Sequence, residues 1–214
     1  MLVAVCVFPC VFSSIECDAS SFLFDTAAPP GDSSGFRIRD DFWIFHRFEV
    51  TAPTQVTSLG GDFTNFTNAD IDVFGAIVQL LSEIDTPKSI NLTTSDVLAT
   101  TLVTVGTSRG LYTSPMDIVL SPGWYALEFG TGAFSASSVS GGGLQLMMQN
   151  LTTDLSPQLP VAVNHAASSG VVFDSLQATP RFYVSGAVVP LPATAWLFVS
   201  GLLGLVAVVR RSKR

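Results

Sequence analysis

Phe42-Trp-Ile-Phe-His-Arg-Phe-Glu-Val50 is the stretch that decides the fold. Phe42, Ile44, His46, Phe48 and Val50 alternate with Trp43, Phe45, Arg47 and Glu49, and a period of two sends successive side chains to opposite faces of an extended chain. Val97, Ala99, Thr101, Val103 and Val105 alternate in the same way with Leu98, Thr100, Leu102 and Thr104. β-Branched and aromatic residues fill both stretches, as a pleated, half-buried surface favours. Both are predicted strands, and shorter runs of the same kind occur at 54–59, 75–81, 116–120, 124–129, 144–149, 171–173 and 181–189. Gly60-Gly61, Thr86-Pro87, Ser121-Pro122-Gly123, Gly130-Thr131-Gly132 and Gly141-Gly142-Gly143 separate them and read as turn formers. Pro122-Gly123 suits the centre of a type II turn, which predicts a hairpin of 116–120 with 124–129. No stretch between the chain ends keeps a 3.6-residue period over three turns. About nine short strands between turns predict an all-β fold, a β-sandwich or jelly-roll-like ectodomain with one face of each sheet packed and the other wet.

The chain ends differ from this pattern. Met1-Leu-Val-Ala-Val-Cys-Val-Phe-Pro-Cys-Val-Phe12 is a short apolar stretch, and Cys17-Asp-Ala19 supplies small residues for cleavage, so residues 1–19 read as a signal peptide without the usual positive leader. A buried first strand is the alternative. At the other end, Val189-Pro190-Leu191-Pro192-Ala193 opens an apolar run to Val209, followed by Arg210, Arg211, Ser212, Lys213 and Arg214. The seventeen uncharged residues 193–209 would form a helix of about 25 Å, at the short end of what spans a bilayer. Nine of them are Leu, Val or Phe, contributing on the order of −4 kcal/mol to insertion. The basic cluster then places the tail in the cytoplasm and the preceding residues outside.

The Val-Pro-Leu-Pro-Ala box, the Trp196-Leu-Phe198 start, Ser200-Gly-Leu-Leu-Gly-Leu205 and the Arg-rich end resemble PEP-CTERM sorting signals in their VPLPA variant. That resemblance covers residues 189–214. It implies export by a Gram-negative bacterium, retention in the inner membrane with the ectodomain in the periplasm, cleavage near the box by an exosortase, and then release to the cell surface or beyond. Association with exopolysaccharide or biofilm is likewise implied by the family. An ordinary anchor that is never cut is the alternative. Pro190 and Pro192 exclude a regular helix across the box and leave an extended peptide that a protease can hold. A weaker similarity to PEP-CTERM ectodomains of unassigned function runs through Arg37-Ile-Arg-Asp-Asp-Phe42, Arg47-Phe-Glu-Val50, Phe74-Gly-Ala-Ile77, Ser121-Pro-Gly-Trp-Tyr-Ala-Leu-Glu-Phe129 and Arg181-Phe-Tyr-Val184. It brings no catalytic residue with it.

Residues 20–188 form the expected ectodomain, long enough for one core. Cys6, Cys10 and Cys17 all precede Ala19, so the processed domain would hold no disulfide and rest on packing alone. Residues 20–192 carry fifteen acidic against six basic side chains, a net charge near −9, which disfavours nucleic acid as a partner.

Catalytic signatures are missing from the sequence: there is no Gly-x-Ser-x-Gly, no His-Glu-x-x-His and no P-loop. His46 and His165 are the two histidines. His46 reads as a half-buried strand residue bonded to a neighbouring carbonyl, and His165 as a loop residue. Paired carboxylates for glycoside hydrolysis need a spacing of about 5–10 Å that a sequence does not show. The expectation is therefore a protein that is not an enzyme and needs no cofactor. Asp62, Asn65, Asn68, Asp70 and Asp72 offer hard oxygen ligands for Ca²⁺, without the spacing of an EF-hand; solvated turn acids are the plainer reading. Trp43, Trp124, Tyr125 and Tyr183 would make a sugar-binding platform if they shared a face, although such rings more often belong to a core. Asn65-Phe-Thr, Asn91-Leu-Thr and Asn150-Leu-Thr match the N-glycosylation pattern. Three functions stand at this point: a structural or interaction protein on the cell surface or in the matrix, a carbohydrate-binding module, and a polysaccharide hydrolase. Extracellular polysaccharide is the partner outside the membrane that the resemblance implies.

Overall fold

The computed structural model describes residues 21–26, 35–87, 96–141, 143–149, 163–165, 172–174 and 179–189. The expected signal peptide, Pro190 to Ala193, the apolar run and the basic tail lie outside the described residues. Within them the chain is all-β, with thirteen strands in two antiparallel sheets. In order they are β1 (Ser21–Asp25), β2 (Gly35–Arg37), β3 (Trp43–Val50), β4 (Thr54–Asn65), β5 (Ile71–Leu80), β6 (Val97–Val105), β7 (Gly110–Leu120), β8 (Gly123–Gly130), β9 (Leu144–Gln149), β10 (Val163–His165), β11 (Val172–Asp174), β12 (Thr179–Pro180) and β13 (Phe182–Val188). One sheet runs β1-β13-β4-β9-β12, with β7 also on β4 and β2 on β9; the other runs β11-β10-β3-β8-β5-β6.

β4 is the spine of the first sheet. Gly61 pairs with both Phe182 and Tyr112, and Phe63 with both Gly110 and Leu146. β7 therefore lines one edge of β4, while β13 and then β9 line the other. This corrects the reading of Gly60-Gly61 as a turn. The two glycines continue the strand because the backbone beside them leaves no room: a Cβ on Gly60 would run into the Tyr112 carbonyl oxygen, and one on Gly61 would lie 3.0 Å from the Arg181 oxygen.

The even-numbered residues of β3 enter the core between the sheets. Ile44, Phe48 and Val50 join Val73, Ile77, Leu127 and Phe129 of their own sheet and Val56, Leu59, Phe63, Phe182 and Val184 of the other. Phe129 meets Phe63 edge-on at 5.1 Å and stacks on Phe182 at 5.5 Å, so aromatic contacts tie β8 to β4 and β13 across the interface. The expectation of a wet outer face fails for the second sheet. Trp43 and Phe45 point there into another buried cluster with Phe74, Ala76, Val78, Leu80 and Ala126. The loop after β8 packs on it through Ala133, Phe134 and Ala136. Trp43 Nε1–H donates to Thr131 O at 3.1 Å, and Phe74 meets Trp43 and Phe134 edge-on at 5.0 and 5.2 Å. Phe134 and Ser135 hold positive φ, 50° and 67°, uncommon for residues with side chains. Asp40 anchors the loop: its carboxylate accepts from Thr131 Oγ1 at 2.9 Å, from the Val139 N–H at 2.7 Å and from Ser138 Oγ.

The predicted hairpin at Pro122 is also corrected. β7 pairs with β4 while β8 pairs with β3 and β5, so residues 121–122 carry the chain from one sheet to the other. Gly123 has φ of 157°, far from the roughly +80° of a type II centre. Tyr125 closes the corner by donating its hydroxyl to Ser121 O at 2.7 Å. β1, β2, β10 and β12 were not expected from periodicity; they have five residues or fewer, too short to display a period, and are set by the strands they pair with.

Register defines two ends of this two-sheet body. Val50 pairs with Gly123, Leu80 with Trp124, and Thr54 with both Leu120 and Val188. The connections 51–53 and 121–122 and residues 81–87 therefore share one end with the last residues of β13. The 66–70 and 106–109 turns lie at the other.

Candidate functional site

The site with the clearest construction is the C-terminal end of β13. β13 pairs with β4 to the Val188–Thr54 position, and the Val189 N–H then donates to Pro53 O at 2.8 Å. Pro190 follows at once, and proline has no N–H with which to extend the ladder. Val189 of the expected box is thus an anchored residue; Pro190, Leu191, Pro192 and Ala193 lie outside the described residues, as do Arg210, Arg211, Lys213 and Arg214. β1 enters from the same end, since Ser21 pairs with Gly186. The other end of β13 is clamped. Arg181 forks onto Asp25 with Nε–Oδ1 at 3.1 Å and Nη2–Oδ2 at 2.9 Å, while Thr26 Oγ1 donates to Pro180 O and accepts from the Phe182 N–H, both at 2.8 Å. The hydrogen bonds it donates to Asp25 hold the guanidinium's pKa above its ordinary value.

His46 is neither half-buried nor bonded to a carbonyl. It is fully buried, with its ring stacked on Phe24 at 4.5 Å and on Phe182 at 5.2 Å, and neither ring nitrogen has a hydrogen-bond partner. Burial, with the Arg47 charge adding, pulls its pKa down to about 3, so the imidazole is neutral at ordinary pH. A base walled in by rings has no path to a substrate. His165 is in β10, paired with Trp43, rather than in a loop.

The acid-rich stretch does not converge. Asp62 pairs with Arg109 at 3.0 Å, Asp72 Oδ1 accepts from Thr104 Oγ1 at 2.6 Å, and Asp70 stands exposed. Among the described residues no three His, Cys, Asp or Glu side chains group as metal ligands. Asn65 is occupied by the fold: its Nδ2 donates to Ala69 O at 2.8 Å, and its Oδ1 accepts from the N–H and hydroxyl of Thr67 at 2.8 and 2.7 Å. That amide closes the 65–70 turn, so the first glycosylation pattern is used internally; Asn91 and Asn150 lie outside the described residues. Asn68 is exposed.

The four aromatic candidates do not share a face. Tyr125 belongs to the core between the sheets, and Trp43 to the cluster on the outer face of the second sheet, with Trp124 packed at its margin. Tyr183 alternates with the core residues Phe182 and Val184 and so faces away from the core. The residue that sequence reading missed is Asp40. Its carboxylate holds the 131–139 loop, and the only sequence signal was its place in the Arg37–Phe42 stretch. No protein-family model matches this chain, and no curated protein does.

Proposed function

We propose that this chain is an exported structural or interaction protein of the cell surface or extracellular matrix, built as a β-sandwich cargo on a C-terminal sorting signal. Residues 193–209 hold it in the inner membrane with the body in the periplasm, and an exosortase cuts near Val189-Pro-Leu-Pro-Ala193. The observation that carries this reading is the junction at Val189. The last strand stays in its ladder up to the first box residue, and Pro190, which has no N–H to continue it, follows directly. A protease working at the membrane surface then meets a short accessible peptide rather than a strand it must unfold. The dispersed carboxylates, the enclosed His46 and the scattered aromatic rings lend no support to a hydrolase or a carbohydrate-binding module.

Mass spectrometry of the mature protein from a host with an active exosortase tests the sorting role. A C-terminus inside the box supports it, and intact protein ending at Arg214 leaves a plain membrane anchor. A glycan array probed with the processed protein tests the cargo: no selective binding fits a structural role, whereas a selective hit would move the reading to a carbohydrate-binding module.

A further inference from the structure

The barest large aliphatic side chains among the described residues lie at the end of the body where β13 finishes, while Leu111, 44% exposed, and the aromatic Phe66, 59% exposed, lie at the other. Leu81 and Ile84 are 83% and 84% exposed in the connection after β5, and Val188 and Val189 are 58% and 37% exposed at the end of β13. Val119 lies one register position short of the same end, opposite Gln55. Leu81 and Ile84 sit on a formed turn, because Asp85 Oδ2 accepts from the Leu81 N–H at 2.8 Å and the Asp85 N–H donates to Ser82 O at 3.2 Å. Two nearly bare aliphatic side chains on a tied turn call for an apolar environment, since leaving them in water forgoes their transfer free energy.

The chain itself names that environment. Three residues separate Val189 from Ala193, where the apolar run begins, and the four extended steps between them reach about 14 Å at most. The end that carries these side chains is therefore tethered within that distance of the span. β1 enters there as well. We infer that this end of the body rests on the outer leaflet of the membrane that anchors it, with Leu81 and Ile84 at the boundary between headgroups and acyl chains, beside the end of β13. The body then stands upright and presents the 66–70 and 106–109 turns away from the membrane. This inference rests on the membrane-anchor reading of residues 193–209, although not on cleavage at the box.

The test uses the full chain in a C6S/C10S/C17S background, reconstituted in phosphatidylcholine vesicles that carry nitroxide lipids, with one fluorophore per variant at L81C, I84C, F66C, L111C or V199C. β4 has twelve residues and so separates the two ends by roughly 40 Å, well beyond the reach of a headgroup nitroxide. The expected result is quenching at 81 and 84 by the headgroup nitroxide, quenching at 199 by a mid-chain nitroxide, and none at 66 or 111. Quenching at 199, with 81 and 84 no more affected than 66, would overturn the membrane contact and leave the anchor standing. An unquenched 199 would overturn the anchor and this inference with it.

Discussion

His46 shows how far a residue's surroundings can depart from its type. Imidazole ordinarily titrates near 6.5, but between Phe24 and Phe182 neither nitrogen finds a partner, and burial followed by the Arg47 charge holds its pKa at about 3. The unfolded chain therefore binds a proton below about 6.5 that the folded chain refuses. Stability is complete above that pH and falls by about 1.4 kcal/mol per unit as the pH drops toward 3. Urea unfolding at pH 7 and pH 5 should show the loss, and H46F should largely remove it. Because H46F also replaces two unpaired buried nitrogens by ring carbons, it should raise stability at pH 7 by about 1–2 kcal/mol; a destabilised H46F would mean that the nitrogens are satisfied. Asp40 acts in the same pH direction but lower. Burial raises its pKa, yet the bonds from Ser138, the Val139 N–H and Thr131 outweigh this and leave it below the usual 3.8. Its contribution is present above about 3.8 and fades as the pH falls below that. D40A should free the 131–139 loop and lower stability by about 1–3 kcal/mol, read as a fall in the unfolding midpoint together with faster proteolysis within 131–139.

Among elements, β4 and β13 carry most of the organisation. β4 is paired on both edges where Gly60 lies, so a methyl group there meets backbone that cannot rotate away. G60A should cost about 2 kcal/mol or more, as overpacking does, measurable by chemical denaturation; a neutral G60A would mean that β7 stands farther from β4. β13 bears on the proposed processing. Its residues to Val188 are in the ladder and the Val189 N–H is held by Pro53 O, so a cut before Val189 would require the strand end to be peeled away. The mature C-terminus is accordingly expected between Val189 and Ala193. A terminus at or before Val188 in intact-mass measurements would show that the protease unzips β13. The loop after β8 had no counterpart in the pattern, since alternation along β3 says that Trp43 and Phe45 share a face but not that Phe134 packs over it.

For the whole molecule, the expected circular dichroism is β-dominated, and reductant should leave the unfolding midpoint of the processed protein unchanged, because all three cysteines precede Ala19; a midpoint lowered by reductant would show that the N-terminal segment is retained and cross-linked. By itself the sequence determined the all-β class, nine of the strand positions, the net acidity and the layout of an apolar run with a basic end. Each of these follows from local period, composition or charge order, which need no partner to be read. Only the tertiary structure decided that Gly60-Gly61 is strand, that residues 121–122 cross between sheets, that His46 is enclosed, and that Asp62, Asp70 and Asp72 stay apart. It also decided that Leu81 and Ile84 share an end with Val189. These depend on which strands lie side by side and at what register. Long-range pairing sets both, because the same glycine is a turn in open space and a strand residue where a second backbone closes on it.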